Sequence, residues 1–205
     1  MWEGYINAVE EYIVAHDDVE AALVIDRFHV AQHYRGDFDG LRKQELKRLK
    51  KELPKETYDQ DCKGTMWLLR KNHAGLNDEE RLSLRRLLAH SFQLHQAYTF
   101  REEMTAIFNQ VQSIEEGERR LTSWVKKVKR AKLDCFDGFI KTLTNHWKLI
   151  LNYFEDRVSS GFVEGLNNKI KTLKRRCYGI KKVSTLFQRL WLDLEGRHRF
   201  FLSTP

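Results

Sequence analysis

Proline occupies two of the 205 positions, Pro54 and Pro205. A residue without an N–H, whose ring clashes with the preceding turn, kinks or breaks a helix when it falls in its interior. Its near absence leaves most of the chain open to long helices, and the apolar residues recur three and four apart, the spacing of one helix face. The periodicity predicts helices from about Trp2 to Ala15 (ending near Asp17-Asp18), Val30 to Leu53, Asp78 to Ala89, Phe92 to Gln112, Glu115 to Arg130 and Phe136 to Phe154. Asn77 before Asp78, Glu79 and Glu80 reads as an N-cap with acids in the first turn. Pro54 marks a break, Gly36 and Gly40 are points where a helix can be interrupted, and Thr65–Arg70 fits strand or helix. Phe139, Leu143, Trp147 and Ile150 form the buried side of the Phe136–Phe154 helix. Trp124, Trp147 and Trp191 read as core residues ahead of base-stacking platforms. No internal repeat or low-complexity segment interrupts this pattern.

One short segment departs from the helical period. Ala21-Ala-Leu-Val-Ile-Asp26 is a continuous apolar run ending on a carboxylate. Such a run reads as a strand buried on both faces. In open α/β sheets ligands sit beyond the carboxyl ends of strands, which is where Asp26 would lie. A turn residue that ends a strand is the plainer alternative. A strand apolar on both faces needs neighbours. Without them the segment is expected to fold poorly or to pair its edge with another chain.

The most one-sided stretch runs from Ser160 to Gly179. At about 100° per residue, Glu164, Asn168, Lys171, Arg175 and Tyr178 share one face, and Phe162, Leu166, Ile170, Leu173 and Cys177 share the opposite one. A helix packed by its apolar stripe then shows solvent a carboxylate, a carboxamide and a ladder of cations. A carboxylate for a divalent ion beside cations for backbone phosphates suits metal-assisted chemistry on a phosphodiester. An ordinary amphipathic helix whose first-turn Glu complements the dipole explains the same pattern.

Charge and cysteines narrow the classes. A formal net charge of +7 favours a polyanionic partner over an acidic one. Two further basic faces read either as DNA contacts or as solvated surface: Lys43, Lys47, Arg48, Lys50 and Lys51 above Leu46, Leu49 and Leu53, and Lys126, Lys127, Lys129, Arg130 and Lys132. Cys62, Cys135 and Cys177 are far apart and form no CxxC, which argues against a zinc site in this chain and for a reducing compartment. No apolar run has transmembrane length and the amino-terminal segment does not read as a signal peptide, so the expected location is cytoplasmic, away from membranes.

Several motifs together resemble an insertion-sequence transposase. They are Asp26-Arg-Phe-His-Val30, then Gly161-Phe-Val-Glu-Gly-Leu-Asn-Asn-Lys-Ile-Lys171 and Lys174-Arg-Arg-Cys-Tyr-Gly179. Tyr34-Arg35, Leu41-Arg-Lys43, Leu46–Leu53 and Met66-Trp-Leu-Leu-Arg-Lys71 add to the likeness, which spans nearly the whole chain. The group it resembles has an amino-terminal zinc-binding region, a helix-turn-helix and a DDE catalytic core of ribonuclease H-like fold.

The resemblance implies a mainly α chain: an incomplete ribonuclease H-like α/β core with a large all-helical insertion. Residues 1–35 (a helix and the strand ending at Asp26) and 156–205 (core helices carrying Glu164) would belong to the core, and 36–155 to the insertion. It also implies a chemistry in which two Asp and one Glu bind two divalent ions, Mg²⁺ or Mn²⁺, for attack on DNA phosphodiesters. By motif, Asp26 is the second acid and Glu164 the third. Asn168, Lys171, Lys174, Arg175 and Arg176 become DNA contacts. His29 lies near the metal site with no assigned role, since hard cations prefer oxygen. The first acid, in a context like Asp-Met-Trp, would fall immediately before Met1-Trp2, so the chain resembles a carboxy-terminal, truncated piece inactive by itself. The zinc-binding region has no match. Where many relatives have Asn before Gly161, this chain has Ser160, which can still cap a helix. Transposon-end and target DNA, and further copies of the transposase, are the implied partners. The competing function is a catalytically inactive, basic helical fragment that binds DNA or a transposase subunit.

Overall fold

The structure, a computed structural model, describes residues 3–16, 22–157 and 161–200. Two compact units divide the chain, Met1–Val158 and Ser159–Pro205. Among the described residues the regular structure is entirely helical.

The first unit is organised by α2 (Arg27–Glu52), 26 residues and therefore about 39 Å long. Its buried stripe is Val30, Tyr34, Phe38, Arg42, Glu45 and Leu49, spaced three or four apart. Gly36 and Gly40 do not interrupt it, because both lie on the exposed face and meet nothing that would bend the helix. Before it comes α1 (Glu3–Ala15); Trp2, Asp17 and Asp18, the expected limits of that helix, lie outside the described residues. After Pro54 come α3 (Lys55–Asp61) and α4 (Met66–Arg70), which resolves Thr65–Arg70 in favour of helix. Then follow α5 (Asp78–Ala89), α6 (Phe92–Gln110) and α7 (Ile114–Arg130). The start of α5 is the expected one: Asn77 accepts from the Glu80 N–H at 2.8 Å, and Glu80 reaches back to the Asn77 N–H.

The expected Phe136–Phe154 helix is broken into α8 (Asp137–Asn145), α9 (Trp147–Leu151) and α10 (Tyr153–Asp156). His146 leaves helical geometry at φ −116°, ψ 27°. Phe139, Leu143 and Ile150 are buried as expected and Trp147 is half-buried. Arg157 ends α10 in the left-handed region at φ 53°. Its guanidinium donates to the carbonyls of Phe108 (2.6 Å), Val111 (3.2 Å) and Asn109 (3.2 Å), capping the carboxyl end of α6.

The core centres on Trp124, fully buried, with its ring edge-on to Phe100, Phe136 and Phe139 and its indole N–H donated to the Phe100 carbonyl at 2.9 Å. Tyr34 crosses from α2 to α6, its hydroxyl 3.0 Å from that of Thr105. Arg101 is buried and donates to the Leu69 and Lys71 carbonyls and to Glu102, with its guanidinium over the rings of Tyr98 (4.8 Å) and Phe38 (5.4 Å). Those bonds satisfy carbonyls that the end of α4 leaves open.

The strand expected over Ala21–Asp26 does not form. Ala21 lies outside the described residues, and Ala22–Asp26 is irregular. A strand exists only through its pairing, and no strand is present among the described residues to pair with. The run packs instead against helices, with Leu23 and Val24 half-buried. The Ile25 N–H is donated to the Leu149 carbonyl at 3.0 Å, and the Asn152 amide to the Leu23 carbonyl at 2.8 Å. Ile25 itself is buried in the core. The segment is therefore docked through the Leu23 carbonyl and the Ile25 N–H.

The second unit is a pair of helices, α11 (Gly161–Arg176) and α12 (Val183–Phe200). Leu173 and Leu190 are buried between them, and Lys169 pairs with Asp193 at 2.9 Å. That ammonium holds the Asp193 carboxyl below its usual range. Trp191, expected in a core, is 44% exposed, with Phe187 and Leu192 on the same open side of α12. A two-helix unit has too little interior to cover every apolar residue.

Candidate functional site

Asp26 is held from both sides in sequence. The residues before it are fixed by Leu149 and Asn152, as above, and the residues after it are α2. Asp26 is the N-cap of that helix, at φ −71° and ψ 161°, and is 5% exposed. Its Oδ1 accepts the His29 backbone N–H at 3.1 Å and faces the His29 ring Nδ1 at 2.8 Å. His29 is half-buried, its ring edge-on to the exposed Phe28. Asp26 does not end a strand, because none forms there; its local role is that of a helix cap. It also presents a carboxylate whose rotamer a second side chain fixes.

Sequence reasoning missed Asn152 and the Leu149 carbonyl, which place Asp26. No local pattern could reveal them: the Asn152 bond spans 129 residues.

Glu164 lies in the first turn of α11 and is exposed. The predicted two faces are real. Asn168, Lys171, Lys174, Arg175 and Arg176 are exposed, Leu173 is buried, and Leu166, Ile170 and Cys177 are half-buried. The side chain of Phe162, and Ser160 with its proposed capping role, lie outside what is described. Among the described residues no carboxylate pairs with Lys171, Lys174 or Arg175. The helix closes with a left-handed turn: Gly179 N–H to the Lys174 carbonyl at 2.9 Å and Tyr178 N–H to the Arg175 carbonyl at 3.3 Å.

The other two basic faces are partly neutralised. On α2, Lys43 pairs with Asp39 at 3.2 Å and Arg48 with Glu45 and Glu52, leaving Lys47, Lys50 and Lys51 exposed. On α7, Lys127 pairs with Glu103, while Lys126, Lys129 and Arg130 are exposed.

Asp26 belongs to the first unit and Glu164 to the second. Both offer oxygen, the donor that Mg²⁺ and Mn²⁺ take. No group of three or more metal-ligating side chains occurs within the described residues. No described helix is long and apolar enough to cross a membrane.

The chain is similar to known proteins over nearly its full length. It is 26% identical over 194 residues to the transposase for insertion sequence element IS1001 of Bordetella parapertussis, covering 94% of this chain and 47% of that protein. It is 27% identical over 137 residues to the transposase for insertion sequence element IS1557 of Mycobacterium tuberculosis (strains CDC 1551 / Oshkosh and ATCC 25618 / H37Rv), covering 67% of this chain and 30% of those proteins. The chain therefore spans about half the length of the first relative and less than a third of the others. No solved structure matches it. A family model described as Transposase, that of the ISL3 kind, matches residues 1–190, and the chain belongs to this ISL3 transposase family.

Proposed function

We propose that the chain is the carboxy-terminal region of a DDE transposase, cutting and joining DNA at insertion-sequence ends. Asp26 and Glu164 are the second and third metal-binding acids in this reading. Residues 1–35 and 156–205 belong to a ribonuclease H-like core, and 36–155 form a helical insertion. The observation that carries this is where the chain returns. The Asn152 amide is bonded to the Leu23 carbonyl, so the helices that depart from Asp26 come back beside it twelve residues before Glu164 in sequence. A long insertion between two acids of one site must do that.

The residues have distinct tasks. Asp26 is buried and its rotamer is set by His29, so its carboxylate is preorganised. Glu164 is exposed on the helix that also carries Asn168, Lys171, Lys174, Arg175 and Arg176, which hold the DNA backbone. Two bound Mg²⁺ or Mn²⁺ ions, when present, activate the attacking oxygen and stabilise the leaving one. The partners are transposon-end and target DNA and further copies of the transposase, acting in the cytoplasm. The 205 residues supply two of the three acids, so cleavage is proposed for a transposase that carries all three.

The test is metal-dependent strand cleavage by such a transposase. Asp26→Asn and Glu164→Gln should each abolish cleavage while DNA binding persists. Full cleavage by either variant sinks the assignment of that residue. The second reading is a non-enzymatic DNA-binding or transposase-interacting fragment. It is favoured by one observation, that Asp26 already has a structural role as a helix cap. It predicts DNA binding, no cleavage with any divalent ion, and a silent Asp26→Asn.

A further inference from the structure

Three residues other than glycine adopt positive φ among the described residues: Lys132, Arg157 and Tyr178. For a bulky side chain this conformation costs on the order of 1 kcal/mol or more. Arg157 offsets that with three hydrogen bonds to the end of α6. The Tyr178 side chain makes no comparable bond among the described residues. At φ 51° it is 100% exposed, the most exposed of the large apolar residues described. It occupies the position just past a helix end where glycine is strain-free, although Gly179, at φ 78°, comes one residue later. The two backbone bonds that close α11 hold this turn, and the turn stands an aromatic ring in water.

The surroundings say what the ring is for. Lys174, Arg175 and Arg176 precede it and Lys181 and Lys182 follow, all exposed. It is therefore an aromatic ring between two cationic clusters, at the end of the ladder that begins at Glu164. Cations that track a phosphate backbone, interleaved with an exposed aromatic, are the chemistry of unpaired nucleic acid, where each base offers a π-face to stack on. Duplex DNA keeps its bases stacked inside and gives such a ring nothing to hold.

We propose that Tyr178 is a stacking platform for an unpaired DNA base, whose flanking phosphates are held by Lys174, Arg175, Lys181 and Lys182. The left-handed turn is the device that projects the ring clear of α11. This rests on the reading of α11 as a DNA-contacting helix and gives it a substrate form: DNA with at least one base out of the stack.

Binding of the purified 205-residue chain to a single-stranded oligonucleotide carrying 2-aminopurine, and to the same sequence as a duplex, tests this. Tyr178→Ala should weaken single-strand binding by about 5- to 150-fold, the range for removing one base–aromatic stack, and change duplex binding less than about twofold. The 2-aminopurine signal specific to stacking should disappear with it. Tyr178→Phe should match the parent on both. Tyr178→Gly should raise the unfolding temperature, since the strain is relieved, yet bind single strands as weakly as Tyr178→Ala. Those opposite signs exclude a folding defect as the cause. Tyr178→Ala binding single strands as tightly as the parent, or weakening equally on duplex, overturns the stacking role. With duplex binding intact, that result leaves the cationic ladder standing. Parent chain that binds neither form overturns both readings.

Discussion

Asp26 Oδ1 accepts two hydrogen bonds from one residue, the His29 backbone N–H at 3.1 Å and the His29 ring Nδ1 at 2.8 Å. The first bond caps α2, and the second fixes the carboxylate's direction. A single side chain thus starts the central helix of the first unit and supplies the proposed metal-binding acid. Substitution can separate the two roles, because Asn caps helices about as well as Asp but carries no charge.

Asp26→Asn should leave stability within about 0.5 kcal/mol of the parent, whereas Asp26→Ala should lose about 1–2 kcal/mol. Chemical denaturation reads both directly. A loss in Asp26→Asn as large as in Asp26→Ala would mean that the charge, and not the cap, holds the start of α2.

Gly117 on α7 faces the ring of Phe154. A Cβ there would come within 2.5 Å of Cδ2 and 2.9 Å of Cε2, and Phe154 is fully buried, so the ring has nowhere to move. Gly117→Ala should destabilise by about 1–3 kcal/mol through overpacking, despite the better helix propensity of Ala. The double variant with Phe154→Leu should lose less than the sum of the two singles. Additive losses in denaturant melts would show that the two sites do not share that space.

Arg101 ties the end of α4 to α6 through two backbone carbonyls while stacked on Tyr98 and Phe38. Arg101→Met keeps the bulk but leaves both carbonyls without that donor, at an expected loss of about 2–4 kcal/mol. Arg101→Lys keeps the charge without the planar fork and should recover part of it. An Arg101→Met chain that melts with the parent would show that water satisfies those carbonyls equally well.

Local signals in the sequence were sufficient where an element is decided locally. The capping box at Asn77 and Glu80 and the α11 face from Glu164 to Arg175 follow from residue spacing alone. The strand at Ala21–Asp26 failed for a non-local reason. An apolar run says that a segment is buried and leaves open what buries it, and here Leu149 and Asn152, more than a hundred residues away, take the hydrogen bonds that a neighbouring strand would. The break at His146 was equally invisible, because the apolar period of Phe139, Leu143 and Ile150 continues through it. Trp191 failed in the other direction. A helical position predicts a buried face only if something is there to cover it.

Stability should carry an acid-sensitive contribution from Asp39. The Arg42 guanidinium at 2.7 Å, helped by Lys43, lowers its carboxyl from 3.8 to about 2. The folded value lies below the unfolded one, so the stabilisation is complete above pH about 4 and is lost as pH falls through about 2. Asp39→Asn should therefore be less stable than the parent at neutral pH, by up to about 2 kcal/mol before solvent screening. The two stability curves should converge as pH drops from 4 towards 2. A difference that is constant across that window would mean that the contribution is packing and not charge.

Salt dependence should distinguish the three basic faces. A cation already paired with a carboxylate displaces fewer counterions when it meets a phosphate, so it adds less to the slope of log K against log salt. On α2 that applies to Lys43 and Arg48, and on α7 to Lys127, each with an acidic partner. Lys171, Lys174 and Arg175 on α11 have no carboxylate partner among the described residues, and Lys171 and Arg175 share their face with Glu164. Changing all three to Ala should reduce the duplex-binding slope by roughly 2–3, close to one for each phosphate no longer neutralised. Lys126, Lys129 and Arg130 on α7 are exposed and without a carboxylate partner among the described residues too, but they lie outside the helix proposed to contact DNA, so changing those three to Ala should reduce it by less. These residues are exposed, so neither set should move the unfolding midpoint appreciably. An equal fall from both sets would assign the DNA footprint to overall charge. A fall only from the α7 set would move the footprint away from Glu164, and with it the case for Lys171, Lys174 and Arg175 as the groups that hold DNA beside that acid.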